Sequence, residues 1–187
     1  MNVFKLFTTL IFVCLFTACS EDENDNETID IPDTLVGTWN LIAIDADTDI
    51  SGTLADFEYD GAFESVGENL NYTVVFTETT YTVQGSYDIV TTGTLNGLPI
   101  DPSRDSTTDV LETGTYTYND DGLTIDGQFY DLGNEDLPED LQIGQEFDIT
   151  FNSNGNMVMS ELFTSSMTEL IPLDIEVDAQ LVWEPVN

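Results

Sequence analysis

The sequence predicts an all-β fold: a single antiparallel β-barrel of about eight strands, with a β-sandwich as the alternative. Three observations predict it. Apolar residues after Pro32 recur with a period of two rather than 3.6, the spacing of a strand with one dry and one wet face. The segments Asn119-Asp120-Asp121-Gly122 and Asn152-Ser153-Asn154-Gly155 separate alternating runs, and their residue types accept the positive φ that tight hairpin turns require. From residue 34 onward the chain has roughly 150 residues, the size of one domain, and its hydrophobic content of 41% is enough for one core.

The strands follow in order. Leu35 to Ala46 is the first and carries Trp39. Leu70 to Thr77 alternates Leu70, Tyr72, Val74 and Phe76; Thr80 to Val90 alternates Tyr81, Val83, Tyr87 and Ile89. Thr113 to Tyr118, Leu123 to Tyr130, Glu146 to Phe151 and Asn156 to Phe163 come next. The last is the clearest: Leu173, Ile175, Val177, Ala179, Leu181 and Trp183 share one face, and Asp174, Glu176, Asp178, Gln180 and Glu184 the other. Three segments lack this rhythm and read as loops. They are Asp47 to Asn69, with a helical turn around Leu54 to Phe63, then Thr94 to Asp109 with Pro99 and Pro102, and Leu132 to Gln145 with Pro138.

Ahead of the domain stands an address. Residues 1–18 hold one cation, Lys5, then an apolar run from Leu6 to Phe16 that is too short for the roughly 20 residues of a bilayer span. This describes a secretory signal peptide. Leu15-Phe16-Thr17-Ala18-Cys19 resembles the lipobox of bacterial lipoproteins, which implies lipidation of Cys19 and attachment to a membrane through the lipid. Ser20, Glu21, Asp22 and Glu23 resemble the acidic export signal of surface lipoproteins, which implies the outer membrane and its exterior face. Residues 19–33 are rich in acids and free of cations, a composition that forms no core and suits a disordered tether. The expected organisation is signal peptide 1–18, tether 19–33 and barrel domain 34–187.

Composition narrows function. The net charge is −35, and beyond the signal peptide Arg104 stands alone against 37 acids. That excludes nucleic acid and anionic membrane surfaces as partners, since both need cations on the protein. Without histidine, and with no lysine after Lys5, Ser-His-Asp and Cys-His catalysis and Schiff-base chemistry are excluded. No cofactor is predicted and no catalytic residue is assigned. Asp45, Asp47 and Asp49 have the spacing of a calcium loop whose twelfth position is Asp56, but Ile50 stands where such a loop needs glycine, so no metal site is assigned.

Leu35-Val36-Gly37-Thr38-Trp39-Asn40-Leu41 resembles the opening Gly-x-Trp strand of lipocalin-like domains, and the hairpins GTYTYNDDGLTI and FDITFNSNGNMVMS are similar to the later strands of bacterial lipocalin-like lipoproteins. The resemblance covers residues 34 to 184. It implies that Gly37 and Trp39 close the base of the barrel, and that a small apolar or amphipathic molecule binds in its mouth. Tyr72, Phe76, Tyr81, Tyr87, Tyr116, Phe147, Phe151 and Trp183 are the expected lining. The last strand lacks the arginine that covers the tryptophan in lipocalins. The leading expectation is a non-catalytic binding module; the alternative is a structural or adhesion module with a filled interior, calcium-assisted or not.

Overall fold

The computed structural model describes residues 35–54, 57–119, 122–127, 129–130, 146–167 and 172–186. The expected signal peptide, Cys19, Ser20, Glu21, Asp22, Glu23, the rest of the expected tether, Asp56 and the expected loop at 132–145 lie outside these residues. Among the described residues nine strands are present: β1 (Gly37–Leu54), β2 (Phe57–Phe76), β3 (Thr80–Leu95), β4 (Leu98–Pro99), β5 (Ser103–Asn119), β6 (Gly122–Asp126), β7 (Glu146–Phe151), β8 (Met157–Met167) and β9 (Leu173–Pro185). All pair antiparallel in the order β2-β1-β9-β8-β7-β6-β5-β3-β4, and β2 also pairs with β3. Eight strands therefore form one closed ring, and the two-residue β4 hangs from β3. First and last strands are joined, with Leu41 opposite Trp183. A single ring of this kind is a barrel and not a sandwich.

Each of the eight expected runs lies on a ring strand, but three boundaries differ. The segment expected as a loop at Asp47 to Asn69 is strand on both arms, because β1 and β2 continue as a hairpin with Ile50 opposite Gly61 and Leu54 opposite Phe57. Its glycines and acids interrupt the apolar rhythm without interrupting the backbone ladder, and no helix occurs among the described residues. The segment Thr94 to Asp109 contains a two-residue turn, Asn96-Gly97, with φ of 52° and 74°, and β5 already starts at Ser103. Pro99 sits in the short β4, where no ladder donor is demanded of it. The strand expected to reach Tyr130 stops at Asp126. Gly127 has φ +124°, and a Cβ there would lie 2.7 Å from the Tyr81 hydroxyl, so only glycine lets the chain turn past that ring.

The ring is uneven. β1, β2, β3 and β5 run 18, 20, 16 and 17 residues, whereas β6 and β7 have 5 and 6. At about 3.3 Å per residue the long strands outreach the short ones by roughly 33–50 Å. A line of bulges crosses the long strands. Register slips between Glu68 and Asn71 on β2 and between Gly85 and Tyr87 on β3, where the β5 partners step from Val110 to Thr107. Asn69 and Asp109 take φ of 52° and 57° there, conformations that Asn and Asp tolerate better than most residues. Gly85 has φ +128°, and a Cβ would lie 1.9 Å from the Asn71 carbonyl oxygen, so the middle bulge requires glycine. Such bulges bend a sheet and raise its twist.

Candidate functional site

The barrel interior at and below the bulge line is aromatic. Tyr72 and Phe76 of β2, Tyr81 and Tyr87 of β3, Tyr116 of β5, Phe147 of β7 and Trp183 of β9 are all buried, because strand alternation turns each of them inward. The structure brings these seven together, and Phe129, which belongs to no strand, stands among them. Its ring lies 5.5 Å from Tyr81, 5.5 Å from Trp183, 5.8 Å from Phe147 and 6.1 Å from Phe76, centroid to centroid. Its carbonyl accepts a 2.9 Å hydrogen bond from the Tyr72 hydroxyl. Offset and edge-on contacts at such distances are the favourable ones for aromatic rings.

Phe151 stands apart from that set. It is 38% exposed at the end of β7, with its ring 6.0 Å from Trp39. Trp39 is buried on β1 and donates its indole N–H to the Leu35 carbonyl at 3.0 Å. Gly37, opposite Phe76, begins the same strand. Trp39 and Phe151 thus meet at the end of the barrel where β1 begins and β7 ends.

Two polar features lie inside. Glu161 of β8 is 7% exposed and accepts a 2.9 Å hydrogen bond from the Tyr130 hydroxyl. Glu161 faces Ala179 across the ladder, and the same inward row continues through Ala46, Ser65, Thr91 and Ser103. Small side chains make up the rest of this row, and Ser65 and Thr91 hydrogen-bond each other at 2.8 Å. The second feature is the Trp183 indole nitrogen, which is buried and has no hydrogen-bond partner among the described residues. Leaving such a donor unpaired costs about 1–3 kcal/mol.

Burial raises the pKa of the Tyr72 phenol, and the neighbouring Tyr87, Tyr81 and Glu112 add to it. Tyr130 is raised by burial first and by the Glu161 charge second. Tyr81 and Tyr116 move the same way, again chiefly through burial. Glu112 influences Tyr72 and Tyr81 because its register, opposite Val83, places it on the inward parity of β5. It is nonetheless exposed; among the described residues β6 pairs only with Thr115–Asn119 of β5.

The residues with calcium-loop spacing are dispersed. Asp45, Asp47 and Asp49 are exposed on one face of extended β1, where alternate residues stand roughly 6.5 Å apart. No cluster of three ligating side chains fit for a metal occurs among the described residues.

Sequence reasoning missed Phe129, Tyr130 and Glu161. Glu161 had a signal: it falls between Met159 and Phe163 on the dry parity of its strand, where an acid has no ordinary place. Phe129 and Tyr130 had none, because they continue an apolar run without continuing its strand. Comparison with protein-family models, curated proteins and solved structures finds no match to this chain.

Proposed function

We propose that this chain is a non-catalytic, lipid-anchored module displayed on the outer membrane, in which the barrel is a filled scaffold. Phe129 carries this reading. It occupies the space that the ring aromatics enclose and touches residues from β2, β3, β7 and β9, so the lower barrel serves as a packed core rather than a ligand chamber. Cys19 supplies the lipid and Ser20 to Glu23 the export signal, both on the strength of the resemblance in the leader. The acidic surface keeps such a module soluble and apart from its neighbours.

A second reading retains a small amphipathic ligand at the open end. The inward Glu161 supports it, as a buried polar group that orients a guest in an apolar pocket. The test is to purify the full-length protein in detergent, denature it and analyse the organic extract by mass spectrometry. A filled scaffold releases nothing beyond detergent and bulk lipid. One compound recovered at one mole per mole of protein supports the ligand reading and overturns the first.

A further inference from the structure

The outer face of the barrel divides by charge. Above the bulge line like charges face one another across the ladder, with Asp47 between Glu64 and Asp178 and with Asp49 opposite Glu176. Below it, across β1, β2, β3 and β5, the outward rows are neutral: Asn40, Thr73, Gln84 and Leu111 form one, and Thr38, Val75, Thr82 and Thr113 the next. In a chain with 37 acids, two adjacent rows across four strands without one are a marked departure.

The bulges make this neutral face concave. A groove of about 800 Å³ runs along them, lined by Asn71, Thr73, Gln84, Ser86, Thr108 and Leu111 among others, with Asp109 its one carboxylate. That volume is in the range of small-molecule sites. The side-chain amides of Asn71 and Gln84 and the hydroxyls of Ser86 and Thr108 make no hydrogen bond to other described residues. Nearby hydroxyls are engaged, as Thr73 is with Asn40 and Ser106 with Asp88. Leu111, 69% exposed, adds an apolar plate at the edge.

Charge near the groove is offset by the one cation beyond the signal peptide. Arg104 donates to Glu68 at 2.5 Å and to Asp88 at 2.8 Å, just above the bulge line. Ser106 and Asn69 also donate to Asp88, and these bonds together with Arg104 hold its carboxyl below the usual aspartate range.

We infer that this groove is a binding site for a neutral carbohydrate. A sugar offers both donors and acceptors, which matches unspent amides and hydroxyls that can serve as either. Its C–H faces suit an exposed leucine. A neutral ligand is favoured because the remaining surface repels anions over its whole extent. The inference rests on the barrel acting as a scaffold, but its site is the outer face, and what the interior holds is tested separately by extraction.

The experiment is affinity electrophoresis of the full-length protein, solubilised in neutral detergent, through native gels containing dextran, mannan, laminarin or polygalacturonate. At least one neutral polysaccharide should retard the wild type, and polygalacturonate should not. The variant Gln84→Ala/Ser86→Ala/Thr108→Ala should lose affinity at least tenfold with an unchanged melting temperature, since these side chains are outward and unbonded. Gln180→Ala/Ser160→Ala, on the far outer face, should behave as wild type. Three outcomes overturn the inference: no retardation by any of the neutral polymers, equal retardation by polygalacturonate, or wild-type affinity in the triple variant. A failure here with no extracted compound leaves the scaffold reading standing, whereas a stoichiometric extract removes that reading whatever the gels show.

Discussion

The ring of Phe129 lies 5.5 Å from the ring of Trp183, so a residue outside every strand packs against the last strand of the barrel from within. The chain after β6 thereby contributes to the core. Phe129 and Tyr130 enter together, one held by Tyr72 through its carbonyl and the other bonded to Glu161. Three consequences concern stability, and a fourth concerns the interior itself.

Tyr130 and Glu161 should be energetically coupled. Tyr130→Phe removes a hydrogen bond to a buried charge and should cost about 1.5–3 kcal/mol. Glu161→Gln should also destabilise, and the double variant should cost less than the sum of the two. Urea unfolding of the four proteins measures the cycle; strict additivity would show that the contact adds nothing.

High pH should unfold the protein cooperatively. Tyr72 and Tyr130 have folded-state pKa values raised above the ordinary 10.0 of a tyrosine. Each therefore adds stability that is complete below about pH 10 and is lost as pH rises beyond it. Absorbance at 295 nm should show these phenols ionising together with loss of the fold, and Tyr72→Phe should shift that transition to higher pH. Ionisation of every tyrosine while circular dichroism stays constant would contradict the assignment of these two as buried.

Asp178→Asn should stabilise the protein. Asp178 faces Asp47, which faces Glu64, and like charges directly opposite on a sheet cost roughly 0.2–1 kcal/mol. The gain should appear at low ionic strength and shrink towards 1 M salt, where the Debye length is about 3 Å. Thermal melts at the two ionic strengths distinguish this from a salt-independent packing change.

Much of the ring was legible because strand alternation is a local property. Tyr72, Phe76, Tyr81 and Trp183 announce their face by their neighbours, and Asn152 announces its turn: its Oδ1 accepts from the backbone N–H groups of Asn154 and Asn156. The upper hairpin was illegible for a physical reason. Around Gly52, Gly61 and Gly67 the inward face is small and partly wet, so apolar periodicity fades while backbone pairing persists. Asn96-Gly97 carried a turn signal that the two prolines after it, Pro99 and Pro102, obscured in the loop reading. The filled interior was not legible at all, since whether Phe129 extends a strand or turns inward depends on Gly127 and on rings far away in sequence.

The most direct test is to ask whether the barrel has room. The full-length protein is titrated with the apolar fluorophore N-phenyl-1-naphthylamine, following both its emission and quenching of the buried Trp39 and Trp183. A barrel filled by Phe129 should bind none stoichiometrically, whereas Phe129→Ala should lose about 3–5 kcal/mol of stability and, while still folded, take up one equivalent in the space the ring vacates. Saturable one-to-one binding by the wild type, with quenching of Trp183, would contradict the filled scaffold.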